Sequence, residues 1–226
     1  MQTVIIPTLN EEQNIGRLIS GIYSSLDEGT HVIVVDDAST DGTQKVVTNL
    51  GAKHPGVKLI VRTKERGLSS AVRRGAADVK DGYVAVMDAD LSHDPRYLPL
   101  LFEKLDAGYD LAIGSRYVPG GATKGWPVKR VLVSKVATLL ARILLSVKVK
   151  DPMTGFVACR SSALLSKGIE HADYKFLLEM IVKNRYLRVA EVPIIFRDRT
   201  KGKSKLAGGT IFLFLELVLR LFLRRK

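Results

Sequence analysis

Three short apolar runs in the first half of the chain end in carboxylates, and stretches of helical periodicity separate them. The runs are TVIIPTLNE, from Thr3 to Glu11, HVIVVDD, from His31 to Asp37, and VAVMDAD, from Val84 to Asp90. Runs of this length bounded by turn-forming residues read as strands buried on both faces. Two further runs, at 57–61 and 110–113, fit the same reading. After the first strand, Ile15, Leu18, Ile19 and Ile22 recur at helical spacing. Ser39 or Thr40 stands where it could cap the helix after the second strand. Such β/α alternation predicts an α/β fold with a mostly parallel central sheet flanked by helices, whose ligand crevice lies beyond the carboxyl ends of the strands. Glu11, Asp37 and the Asp88/Asp90 pair stand at three of those ends.

Side chains at i and i+2 of an extended segment share a side, so Asp88 and Asp90 are expected to converge on one point. Two hard oxygen donors there suit Mg²⁺ or Mn²⁺ carrying a substrate's phosphates. An isolated Asp-x-Asp is also a common solvated strand end, and Asp36 and Asp41 read equally well as turn formers. The shared crevice gives the Asp88/Asp90 pair its weight.

Charge narrows the field of partners. Residues 1–109 hold 12 Lys and Arg against 15 Asp and Glu, and residues 110–226 hold 23 against 8, so the net charge of +12 sits in the second half. Nucleic acid is excluded as the main partner, because the basic half lacks interleaved aromatics and any recognisable nucleic-acid module. Anionic lipid and a phosphorylated acceptor fit the basic half better. Cys159 is the single cysteine, so no disulfide can form within the chain; it reads as a core residue in a reducing compartment. The first strand begins within a few residues of Met1, and no secretory leader is expected ahead of it.

Seven segments, in order, resemble the family 2 glycosyltransferases of the GT-A fold, a Rossmann-like nucleotide-diphospho-sugar transferase architecture. They are Pro7 to Glu11 (PTLNE), Asp36 to Gly42 (DDASTDG), Gly67 to Ala71 (GLSSA), Met87 to His93 (MDADLSH), Gly114 to Tyr117 (GSRY), Asp151 to Phe156 (DPMTGF) and Arg199 to Leu206 (RTKGKSKL). The last two narrow the resemblance to the dolichol-phosphate mannose synthases, which move mannose from GDP-mannose to a polyprenyl phosphate.

The resemblance implies site roles residue by residue. Pro7, Leu9, Glu11, Val35 and Asp37 would hold the donor nucleotide. Asp88, Ala89 and Asp90 would form the metal and diphosphate site, with Ser92 at the place of a third ligand and His93 beside it as a possible nitrogen donor. Arg116, Arg130 and Ser134 would grip the acceptor phosphate, and Arg199 and Lys205 would belong to a loop closing over the donor. A lipid phosphate is already ionised near neutral pH, so no catalytic base is required of this chain. A polyprenyl-phosphate glucosyltransferase using UDP-glucose, and a nucleotide-sugar-binding subunit without catalysis, remain open as alternatives.

Two apolar stretches lie in the basic half. Residues 131–147 read as a helix that either packs on the sheet or lies in a bilayer interface. Residues 210–223 have 14 positions with two charges, fewer than the roughly 20 apolar residues a span needs. The expected organisation is a catalytic domain over 1–208, including an interface helix at about 130–147, and an amphipathic helix over 209–226. That last helix would dock on the membrane surface or on small membrane-protein subunits. The chain is thus expected to be peripheral, at the cytoplasmic face of a plasma membrane or endoplasmic reticulum.

Overall fold

A computed structural model describes residues 1–165, 176–198 and 209–223, with the side chains of the last segment described from residue 214 onward. Its centre is a seven-stranded sheet in the order β3-β2-β1-β4-β7-β5-β8. The strands are β1 (Gln2–Thr8), β2 (His31–Asp36), β3 (Val57–Val61), β4 (Tyr83–Val86), β5 (Leu111–Ser115), β7 (Val157–Arg160) and β8 (Val189–Pro193). All pairings are parallel except those of β7, which runs antiparallel to both β4 and β5. Two short strands, β6 (Ala122–Lys124) and β9 (Ile195–Arg197), form a separate parallel pair. The five strands expected from the first half are all present, and the sheet has the mostly parallel character expected of it.

Both faces of the sheet are covered. One core layer, with Val4, Ile6, Val32 and Ala85 from the strands, packs on α1 (Glu12–Ser25), α2 (Thr43–Gly51) and α4 (Leu98–Asp106). Ile15, Leu18, Ile19 and Ile22 of α1 are buried in it, as their spacing requires. The other layer, with Ile5, Val35, Val84 and Ile113, packs on α3 (Leu68–Ala76), α6 (Ser161–Leu165) and α7 (Phe176–Lys183). Cys159 lies inside this layer as expected, and burial pushes its thiol up to about 12. The cap of α2 differs from expectation. Gly42 is its N-cap, and Ser39 instead turns back to bond the Asp36 carboxylate.

The strand order places the site. From β1 the chain steps outward through β2 and β3, then returns to the other side of β1 with β4. The switch point therefore lies between β1 and β4, where their carboxyl ends open a crevice. The loops carrying Glu11 and Asp88/Asp90 leave the sheet at that point.

Two helices lie at the second core layer's margin. In α5 (Val128–Leu145) only Thr138, Ala141 and Leu145 are buried, while Leu132, Val133, Val136, Leu140 and Ile143 stand in solvent. One edge of α5, with Ala141 and Leu145, thus joins the core, and most of its other apolar residues are bare. The helix α8 (Gly209–Leu223) packs against α5 and is divided between two environments. Phe214, Leu217, Val218 and Leu221 are buried in the core, whereas Leu215, Leu219, Phe222 and Leu223 are exposed. Among the described residues no helix is long and apolar enough to cross a membrane.

Candidate active site

The loops after β1 and β2 are tied to each other before any ligand arrives. Asn10, at φ 55°, takes a hydrogen bond from Thr40 N at 2.8 Å and gives its own N–H to Ser39 Oγ at 2.8 Å. Glu11 N donates to Thr43 Oγ1, and Glu11 Oε2 accepts from Asn14 Nδ2 at 2.7 Å. Asp36 is fully buried and accepts from Ser39 and Gln44, which fits the turn-forming role. Asp41 has the same kind of role. Burial alone would raise its pKa, but donors from Thr43 and Glu12 outweigh that and lower it.

Asp37 is the corner post of this side. One carboxylate oxygen accepts from Arg62 Nε at 2.7 Å and the other from Gly67 N at 2.9 Å. Arg62 is itself buried and continues to Gly67 O and Ser70 Oγ. Asp37 and Arg62 thus fix the turn that opens α3, and charge-assisted bonds of this kind are the strong ones. Of the other residues assigned to the donor, Pro7 and Leu9 are partly open at the crevice edge. The side chains of Val35 and Ala89 are buried in the two core layers, which leaves their backbone for any contact with a nucleotide.

At the end of β4 the Asp88 side chain is 40% exposed, whereas Asp90 is buried and accepts from Ser92 N at 3.0 Å. Gly155, in the loop before β7, comes so close to Asp88 that a Cβ there would stand 3.1 Å from Oδ2. An open carboxylate, a second acidic residue two positions on and the close approach of Gly155 suit a hard divalent cation such as Mg²⁺ or Mn²⁺. Ser92 is buried, and its carbonyl accepts from Arg197 N in β9. His93 is also buried, held between Phe156 and Phe196 with ring centroids 5.1 Å from each. Its Nδ1 faces the Asp88 backbone N–H at 3.5 Å and the carboxylate at 3.7 Å. Burial lowers the His93 pKa despite the pull of Asp88 and Asp90, so the ring is neutral at physiological pH. Its packing makes it a positioning group for Asp88.

The second group of expected site residues, Arg116, Arg130 and Ser134, is built from pairs distant in sequence. Arg116, following β5, makes a two-pronged ion pair with the fully buried Asp151, 2.7 Å from each prong. Burial works against the Arg116 charge, but Asp151 outweighs it and raises the pKa further. The Nη1 edge is not engaged by this pair. Glu191 of β8 fixes the Asp151 loop through the N–H groups of Lys150 and Asp151. Arg130 and Ser134, one turn apart on α5, face inward as their spacing predicts. Ser134 Oγ accepts from Tyr117 OH at 2.8 Å. Arg130 pairs with Asp198 at 2.9 Å and lies 4.1 Å over the Trp126 ring. Trp126 packs edge-on against Phe196, which packs against His93. A continuous wall of rings thus runs from Asp88 to Arg130, carried by β9 and the turn before α5.

Arg199 and Lys205 lie outside the described residues. The sequence reading missed Arg62, Trp126, Phe196 and the partnership of Arg116 with Asp151. Trp126 is the chain's single tryptophan, which was a signal at hand; the others depend on contacts between distant segments.

Comparison with known proteins gives a consistent picture. The model of "Glycosyl transferase family 2" matches residues 3–178. The dolichol-phosphate mannosyltransferase of Pyrococcus furiosus is 44% identical over 97% of this chain, which spans 63% of that relative's length. The dolichol-phosphate mannosyltransferase of Saccharomyces cerevisiae is 37% identical, over 97% of this chain and 86% of its own. The polyprenol monophosphomannose synthase of Mycolicibacterium smegmatis is 38% identical, over 92% and 82%. Among solved structures, glucosyl-3-phosphoglycerate synthase of Mycobacterium tuberculosis, in complex with Mn²⁺, UDP and glucosyl-3-phosphoglycerate, superposes with a TM-score of 0.73. It is 22% identical and covers 100% of this chain and 79% of its own, a likeness of fold. The same enzyme with Mg²⁺ and UDP gives a TM-score of 0.73 at 23% identity.

Proposed function

Because the chain belongs to glycosyl transferase family 2 and has its GT-A fold, we propose that it transfers mannose from GDP-mannose to a dolichyl or other polyprenyl phosphate, with inversion, at the cytoplasmic face of a membrane. The observation that carries this reading is the placement of the crevice, with carboxylates at one side, arginines at the other and a bare apolar helix beside them. A soluble acceptor would need no such helix, and the names of the relatives point to lipid phosphates.

In this reading the donor enters at the loops after β1, β2 and β4, where Glu11, Asp37 and the Asp37–Arg62 corner shape its nucleotide pocket. Asp88 and Asp90 hold Mg²⁺ or Mn²⁺, which when bound supplies charge to neutralise the donor's diphosphate. Arg116, Arg130 and Ser134 orient the acceptor phosphate, one of whose oxygens attacks the anomeric carbon. The bond from that carbon to the diphosphate breaks, GDP leaves with the electron pair, and the anomeric centre inverts. Since the attacking oxygen carries no proton, positioning and charge supply the catalysis. The domain reading follows: residues 1–208 do the chemistry, and 209–226 help seat the protein on the membrane or on a small membrane subunit.

The test is transfer of radiolabelled sugar into polyprenyl phosphate, with GDP-mannose and UDP-glucose offered separately. Label from GDP-mannose alone supports the reading. Label from UDP-glucose alone moves the chain to the glucosyltransferase alternative, and GDP binding with no label in lipid makes it a binding subunit.

A further inference from the structure

Beside the crevice lies a groove of about 460 Å³ between α5 and the segment that follows β5. On α5 its wall is Val131, Lys135, Thr138, Leu139 and Arg142, which share one helix face, and Lys150 lines it from the loop beyond. Among the described residues no acidic side chain lines it. The charge of Arg116, where groove and crevice adjoin, is matched by Asp151. Lys135, Arg142 and Lys150 form no ion pair among the described residues. Arg142 Nε and Thr138 Oγ1, though without a hydrogen-bond partner among the described residues, are closed off from the groove, so its charge comes from the outer nitrogens of Arg142 and from the two lysines.

The acceptor's own phosphate does not reach Arg142 while it sits at Arg130. Arg142 lies twelve residues farther along the same helix, about 18 Å at 1.5 Å per residue. The adjoining surface of α5 exposes Val136, Leu139, Leu140 and Ile143, so the occupant has an anionic head and an apolar body.

We propose that this groove is a headgroup site for an anionic glycerophospholipid of the bilayer, separate from the acceptor site. The phosphate accepts hydrogen bonds from the outer guanidinium nitrogens of Arg142 with Lys135 and Lys150 alongside, and the acyl chains run along the bare face of α5. The proposal rests on the reading of α5 as an interfacial helix, and the two fail differently.

The test is sedimentation of the full-length protein with vesicles of phosphatidylcholine alone or mixed with phosphatidylglycerol. The intact protein should bind both, and the mixed ones more tightly. Arg142→Gln should lose about tenfold or more of the gain from phosphatidylglycerol while keeping its binding to phosphatidylcholine. Arg142→Lys should lose part of the gain, because the charge remains but the fork does not. Lys148→Gln, a neighbour outside the groove, should lose at most about fivefold, the effect of one basic residue at an anionic leaflet. If Arg142→Lys equals the intact protein and Arg142→Gln equals Lys148→Gln, diffuse surface charge explains the gain and the site is overturned. If the intact protein binds neither vesicle, the interfacial helix itself is wrong. A thermal shift by glycerol 3-phosphate that depends on Arg142, with no gain from phosphatidylglycerol, would assign the groove to a soluble phosphate. If Arg142→Gln raises the KM of a short soluble prenyl phosphate as much as Arg130→Ala does, the groove belongs to the acceptor.

Discussion

Ser92 and Gly155 show how much a single position near Asp88 decides. From the sequence, Ser92→Gln would be expected to retain or raise transfer by supplying a longer third ligand. In the structure Ser92 is 2% exposed and its main chain is pinned to β9, so a longer side chain must displace packed neighbours. The expected outcome is now overpacking, about 1–3 kcal/mol of lost stability by chemical denaturation, and lower activity. Gly155→Ala should act differently: the new Cβ would press on Asp88 and displace its carboxylate. Mn²⁺ affinity measured by calorimetry should fall about tenfold or more, while Tm changes little. An equal fall in Tm and affinity would make Gly155 a folding residue only. Arg130→Ala removes a guanidinium that faces Trp126 and Asp198 on the acceptor side. It should raise the acceptor KM and lower kcat while leaving GDP affinity unchanged; a parallel loss of GDP affinity would place Arg130 on the donor side.

Among the elements, α8 and β7 carry the clearest tests. Leu221 of α8 is buried and Leu219 is exposed on the same helix. Leu221→Ala should cost about 2–5 kcal/mol of unfolding free energy. Leu219→Ser should leave stability within about 0.5 kcal/mol yet weaken sedimentation with vesicles. Equal effects of the two would mean that α8 has no membrane-facing side. Removing 209–226 should therefore cost stability as well as membrane binding, because the helix fills part of the core. Cys159 in β7 should not react with a thiol reagent at pH 8 while the protein is folded, since burial holds the thiol at about 12, and should react at once in denaturant. Rapid labelling of the native protein would show that β7 opens readily.

The same elements mark what one sequence discloses. Strands β1 to β5 were legible because each is an apolar run closed by turn residues. The helices α5 and α8 were legible in extent but not in which face lay inside, since apolar residues surround much of each. The strands β6 and β9 have three residues apiece and derive their shape from each other. The site was legible where chemistry is local, as at Asp88 and Asp90. It was opaque where one partner stands 35 residues away, as Asp151 does from Arg116, or 68 away, as Asp198 does from Arg130.

For the whole molecule, the antiparallel strand β7 bears on synthesis. It lies between β4 and β5, so the two halves of the sheet have no direct ladder and meet only through residues 157–160. A chain emerging from the ribosome completes β1 to β4 early, then exposes the unpaired edge of β4 until about 70 further residues have been made. At 5–20 residues per second that interval is roughly 4–14 s, long enough for an open strand edge to meet other nascent chains. Ribosome-bound chains stalled before residue 157 should therefore recruit chaperones and yield to protease, and chains stalled well beyond residue 160 should resist. The strand that joins the two halves of the sheet would then also time the end of the molecule's most vulnerable period.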